Sequence, residues 1–165
     1  MRIFVLTILT IICFEAHTQN FQKEINEQVW KHFITNFNEH NTDGFMTVHS
    51  KDAVRSPRDA KVVWNWEEYK QQQSQGDQRA LAEKRKHALE LGFTERIANK
   101  DLAVEVGVYK TTYFLPNGET QSHYGRFHVV LRKESGSWKI LVDTDYSEGG
   151  TIGEKDFLAA QPLDQ

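Results

Sequence analysis

YGRFHVVLRKESGSWKILVDTDYS, residues 124–147, is the stretch whose reading decides the fold. Its first half alternates, with Gly125, Phe127 and Val129 on one side and Tyr124, Arg126 and His128 on the other. Ser135-Gly136 then marks a turn. Alternation resumes with Trp138, Ile140 and Val142 opposite Lys139, Leu141, Asp143 and Asp145. Period-two patterning on both sides of a short Gly-containing break marks two antiparallel strands joined by a hairpin. The two acids are the anomaly: strand interiors are poor in Asp, and an unpaired buried carboxylate is costly.

The same period extends toward the N-terminus. Leu102–Phe114 places Val104, Val106 and Val108 on one face and Glu105, Gly107, Tyr109 and Tyr113 on the other. Pro116-Asn117-Gly118 is a hairpin signal, and Phe93, Glu95 and Ile97 alternate. Before Phe93 the period is helical. Ile25, Val29, Phe33 and Phe37 recur every four residues beside Trp30 and Ile34, an apolar stripe on a first helix. A short helix starts near Thr42 or Asp43 and ends before Ser50, and residues 51–63 read as loop with a short extended piece. Asn65 with Glu68 reads as an N-cap box. The helix it starts is expected to break near Gly76, with Asp77 capping a further helical segment that stops at Gly92. Helices first, then a long antiparallel run of strands, predicts an α+β fold: N-terminal helices against one face of a curved antiparallel sheet. Such a cone has a mouth suited to a small molecule.

Composition narrows the partners. The chain has 165 residues with 20 basic and 23 acidic side chains, a net charge of −3, so no basic surface points to nucleic acid. MRIFVLTILTIICFEAHT has a basic start, an apolar run from Ile3 to Phe14 and small residues Ala16 and Thr18. It reads as a signal peptide over 1–18, cleaved after Thr18, leaving one domain over 19–165. The expected location is secreted or periplasmic, with membrane contact only through the signal. Cys13, the single cysteine, lacks the lipoprotein surroundings because Thr10 and Ile12 precede it. The seven histidines show no HxxxH or HxH spacing, so no metal is expected. No phosphate-binding Gly loop or dinucleotide fingerprint points to a cofactor.

NTDGFMTVHSKDAV (41–54), VEVGVYKTTY (104–113) and the opening stretch together resemble the nuclear transport factor 2-like superfamily. That group includes SnoaL-like cyclases, ketosteroid isomerase and scytalone dehydratase, and exported domains without established activity are the most similar. The resemblance runs from about Ile25 to Ser147. It implies a cone-shaped roll, a ligand site between the inner face of the sheet and the helices, and a homodimer through the outer face.

Proton-transfer chemistry in such a cone needs a base, a hydrogen-bond donor for developing negative charge, and dry walls. Asp143 is the candidate base, with His128 or His49 as acid or base partner. Tyr109, Tyr113 and Tyr124 are candidate donors, Arg126 a candidate anchor for a polar group, and Trp64 a candidate wall. The alternation groups Arg126 and His128 on one face with Asp143. Structural readings stand beside these: an ion pair for Asp143 and Arg126, a strand-end position for Asp145, a cap for His49. Three functions remain open: a binding domain for a small apolar or aromatic molecule, a cofactor-independent isomerase, dehydratase or cyclase, and an interaction module with a filled cone.

Overall fold

The computed structural model describes residues 20–163; the expected signal peptide lies outside them. Helix α1 covers residues 20–38 and contains a π turn at Asn26–Trp30. Its apolar stripe buries Ile25, Val29 and Trp30. Helix α2 (Thr42–Met46) is capped by Asn41, whose side chain accepts from the Gly44 amide at 3.1 Å. Strand β1 (His49–Pro57) follows, then helix α3 (Trp66–Ala82). The capping box is present: the Glu68 amide donates to Asn65 Oδ1 (3.0 Å) and the Asn65 amide donates to Glu68 Oε2 (2.9 Å). Strands β2 (Lys86–Ala98), β3 (Leu102–Phe114), β4 (Thr120–Glu134) and β5 (Ser137–Tyr146) form the long run. A short helix α4 (Glu154–Leu158) and strand β6 (Gln161–Pro162) complete the order.

Among the described residues, six strands form one sheet in the order β1-β5-β4-β3-β2-β6. The N-terminal helices lie on one side of a curved sheet, as expected, and α4 packs on the other near Tyr124; the fold is α+β. The antiparallel expectation holds for β2 to β5, but β1 pairs parallel with β5. That strand occupies part of the segment read as loop, where the polar run His49–Ser56 hides the signal.

The expected break at Gly76 is also corrected. Helix α3 runs through it to Ala82. Lys84, at φ 53°, and a bond from the Arg85 amide to Ala80 O (2.8 Å) end the helix instead. The segment from Lys86 is strand, and Leu89, Leu91 and Phe93 enter the core. Ala88-Leu89-Glu90-Leu91 satisfies a helical and a strand period equally well.

The most consequential correction is in β5. Ile140 pairs with Leu131 and Val142 with Val130, so Leu141 is an extra residue, a β-bulge. An extra residue reverses the facing of everything after it. Trp138 and Ile140 face the helices, and beyond the bulge Asp143, opposite Val129, faces them too. Arg126 and His128 lie on the other side of the sheet, so the grouping of Asp143 with them does not hold.

The core centres on Trp30, whose ring lies 5.7 Å from those of Phe93 and Phe127. Glu105 is wholly buried beside it. Arg96 pairs with Glu105 at 2.8 Å, and Trp30 Nε1 donates to the same carboxylate. Burial pushes the Glu105 pKa up while Arg96 and Trp30 oppose it. A Cβ at Gly76 meets nothing within 4 Å. Gly76→Ala is therefore expected to stabilise the chain by about 0.5–1 kcal/mol. Urea unfolding checks this, and a loss of stability would mean the helix does not pass through residue 76.

Candidate functional site

Parallel pairing of β1 with β5 sets Arg55 beside Asp143 and Pro57 beside Asp145. All four belong to the inner face below the bulge. Arg55 is clamped by its own backbone, which exchanges hydrogen bonds with Trp64 at 2.9 and 2.8 Å. Its Nη2 donates to Asp145 Oδ2 at 2.8 Å, and its Nη1 lies 3.6 Å from Asp143 Oδ1. Tyr69, one turn into α3 from the Asn65 cap, donates its hydroxyl to Asp143 Oδ2 at 3.0 Å. His49 Nδ1 donates to Phe45 O at 3.1 Å, which turns Nε2 toward Asp143 Oδ2 at 3.6 Å. The cluster thus draws on helix α3 and strands β1 and β5, with the Phe45 carbonyl of α2 orienting His49.

Asp143 and Asp145 are chemically distinct. Burial would raise the Asp143 pKa, but Arg55, His49 and the Tyr69 hydroxyl outweigh it and hold the value at about 2. Asp143 is a fixed anion and a poor base. The Tyr69 hydroxyl is pushed well above its ordinary pKa by burial and by Asp143, so it stays protonated. For Asp145 burial wins over Arg55, and its pKa is raised. With a partly exposed side chain, it is the carboxylate that can exchange a proton with a ligand. Arg55 is penalised by burial, but its two carboxylates more than offset this and its pKa is raised.

The cluster forms the polar end of a cavity of about 550 Å³ between helices and sheet. Its apolar walls include Trp30, Phe33, Phe37, Trp64, Leu91 and Phe127. Tyr109 reaches in from β3. Its ring lies across Gly125, where a Cβ would come within 2.4 Å of the Tyr109 hydroxyl. Gly125 is therefore the residue that leaves room for this phenol. Burial, with Asp145 and Asp59 adding to it, pushes the Tyr109 pKa up to about 12.

The expected site residues divide. Asp143 and His49 meet, and Tyr109, Tyr113 and Trp64 line the same cavity. His128, Arg126 and Tyr124 are on the outer face. His128 stacks with Tyr146 (5.8 Å), Arg126 donates to Glu148 at 3.1 Å, and the Tyr124 ring lies 6.3 Å from Phe157. The alternation of β4 alone separates them from Phe127 and Val129; the unrecognised bulge misaligned them with Asp143. Arg55, Tyr69 and the inward role of Asp145 were missed. The available signals were the alternation Ala53-Arg55-Pro57 and the position of Tyr69 four residues after the cap. Among the described residues, no group of three or more His, Cys, Asp or Glu is arranged to hold a metal ion.

No known protein family and no curated protein matches the chain. Solved structures do. A nuclear transport factor 2-like protein with a cystatin-like fold from Novosphingobium aromaticivorans is 13% identical with TM-score 0.66, over 83% of this chain and 88% of that one. Aln2 from a Streptomyces species is 10% identical with TM-score 0.68, over 79% and 92%. A nuclear transport factor 2-like protein of unknown function from Shewanella oneidensis is 18% identical with TM-score 0.57, over 72% and 93%. The chain has the nuclear transport factor 2-like, cystatin-like fold. Its likeness to these proteins is one of architecture, compatible with a ligand-binding domain.

Asp143 has a lower pKa folded than unfolded. Its contribution is therefore full above about pH 4 and is lost as pH falls toward 2. Asp143→Asn removes a carboxylate that faces the buried Arg55 guanidinium and is expected to cost about 3 kcal/mol at pH 7. The difference from wild type should shrink between pH 4 and pH 2. Equal stability of the two proteins at pH 7 would show that the ionised carboxylate does not hold the cluster.

Proposed function

We propose that the chain binds a small, largely aromatic molecule in the cavity, with a polar group of the ligand held between Asp145 and Tyr109. One observation carries this reading: aromatic walls converge on a carboxylate of raised pKa and a phenol that stays protonated. Apolar walls supply affinity and a few converging polar groups supply orientation. The Arg55 charge is already matched by Asp143 and Asp145, so the pole favours a neutral hydroxyl over an anion. The volume, about 550 Å³, suits a ligand of two or three rings and argues against a cone filled by its own side chains.

A second reading rests on the same pair. Asp145 is suited to take a proton from a carbon acid, and Tyr109 to donate a hydrogen bond to the oxygen on which charge develops. This supports a cofactor-independent isomerase, dehydratase or cyclase. Asp145 is the base in this reading, because Asp143 is held at about 2.

Trp30 and Trp64 line the cavity and make their fluorescence a direct probe. 4-Hydroxybiphenyl is expected to quench it and to bind more tightly than biphenyl. Tyr109→Phe and Asp145→Asn are each expected to reduce that advantage about tenfold, one hydrogen bond to a charged or buried partner. Absence of a response to either compound would remove the binding reading.

The homodimer is likewise a proposal. Ile97, Val104, Val130, Val142 and Val54 lie side by side across β2, β3, β4, β5 and β1, an apolar row on the outer face. Ile97, Val104 and Val54 are exposed. Sedimentation should show a dimer that Val104→Lys converts to monomer; a monomeric wild type at high concentration refutes it. Export remains proposed from the first 18 residues alone, and a secreted chain beginning at Gln19 is the expected mass-spectrometric result.

A further inference from the structure

The far end of the cavity carries a second group of polar side chains that the reading above does not use. His40 follows α1, Asp77 lies on α3 and His87 lies near the start of β2; all three line the cavity. Asp77 is buried and accepts from Thr42 Oγ1 (2.6 Å) and Gln73 Nε2 (3.0 Å). His40 Nε2 is 3.0 Å from Arg85 O, and His87 Nε2 is 3.0 Å from Phe37 O. A carbonyl only accepts, so each ring donates through Nε2. In the neutral imidazole Nδ1 is then an acceptor. His40 Nδ1 is buried without a hydrogen-bond partner, 3.6 Å from Asp77 Oδ1.

The rings hold one another in place. His40 packs edge-on against His87 at 4.5 Å, and Phe37 and Tyr113 flank His87 at 4.6 and 5.9 Å. Burial lowers the pKa of His87, with His40 adding to it, which keeps the ring neutral and accepting. Of the guanidiniums nearby, Arg85 Nε pairs with Glu83 at 2.8 Å, and Arg79 Nε donates to Gln75 O at 3.2 Å. This end of the cavity therefore offers acceptor nitrogens on the two imidazoles.

We propose that His87, positioned by His40 and Asp77, forms a second polar pole that accepts a hydrogen bond from the ligand, so that the ligand is an elongated, neutral aromatic molecule with a hydroxyl at each end. The proposal rests on the binding reading above and adds its second end. One hydroxyl meets Asp145 and Tyr109, the rings lie among Trp30, Phe33 and Phe127, and the other hydroxyl donates to His87 Nδ1.

The test compares 4,4′-dihydroxybiphenyl with 4-hydroxybiphenyl by tryptophan fluorescence and by calorimetry on the same protein. Wild type is expected to prefer the diol about tenfold. His87→Leu should abolish that preference and leave the affinity for the mono-ol within about twofold. His87→Gln keeps an acceptor oxygen and should retain most of the preference, which separates a lost hydrogen bond from a damaged fold. An equal preference in wild type and His87→Leu, or no preference in wild type while the mono-ol binds, overturns the second pole and leaves the binding reading standing. Failure of both phenols to bind removes the binding reading and the second pole with it.

Discussion

The structure turns on a guanidinium held below the solvent surface by two carboxylates. Arg55 comes from the first strand, Asp143 and Asp145 from the fifth, and the parallel pairing of these strands makes the contact. A buried ion pair gains little net stability, because removing both charges from water costs about as much as their attraction returns. Its effect is selective. A one-residue slip of β1 against β5 would turn Arg55 to the outer face and leave Asp143 buried without its cation. The register of the edge strand brings that charge to Asp143, on which the Tyr69 hydroxyl and His49 Nε2 also converge.

The same constraint divides the labour between the acids. The group with the most partners is the least reactive, since three polar neighbours stabilise the anion of Asp143. Asp145 has one strong partner to set against its burial, and it keeps a proton more readily. Perturbed titration behaviour is a pointer to function only when combined with access. Here access belongs to the residue nearer the strand end, so a position suggestive of a rim becomes the functional one.

Much of the fold was legible in the residues. The four-residue recurrence of Ile25, Val29, Phe33 and Phe37 specified the first helix, and the alternation of Leu102–Phe114 and of residues 124–134 specified the central strands. What failed was local. Leu141 is apolar in an apolar run, so nothing in residue type announces that it is surplus to the pleat; only the partner strand reveals it. Ala88 to Leu91 fits two periods, and a tertiary contact with α1 and β3 decides between them. Arg55 and Tyr69 were not legible as site residues because the pairing that joins them to Asp143 is long-range. Of the candidate residues, those on β3 were placed by alternation alone, whereas those on β4 were matched to the wrong face of β5.

The pairing of β1 with β5 also sets an order of events. The Arg55–Asp143 contact spans 88 residues, most of them belonging to the helix and hairpins in between. Neighbouring strands β2 to β5 can zip through short turns, but β1 has no partner until β5 exists. Contacts of long sequence separation bear a large loop-closure cost and form late. The polar end of the cavity is therefore the last part of the molecule to assemble, and a chain interrupted before β5 would have intact hairpins and no site at all.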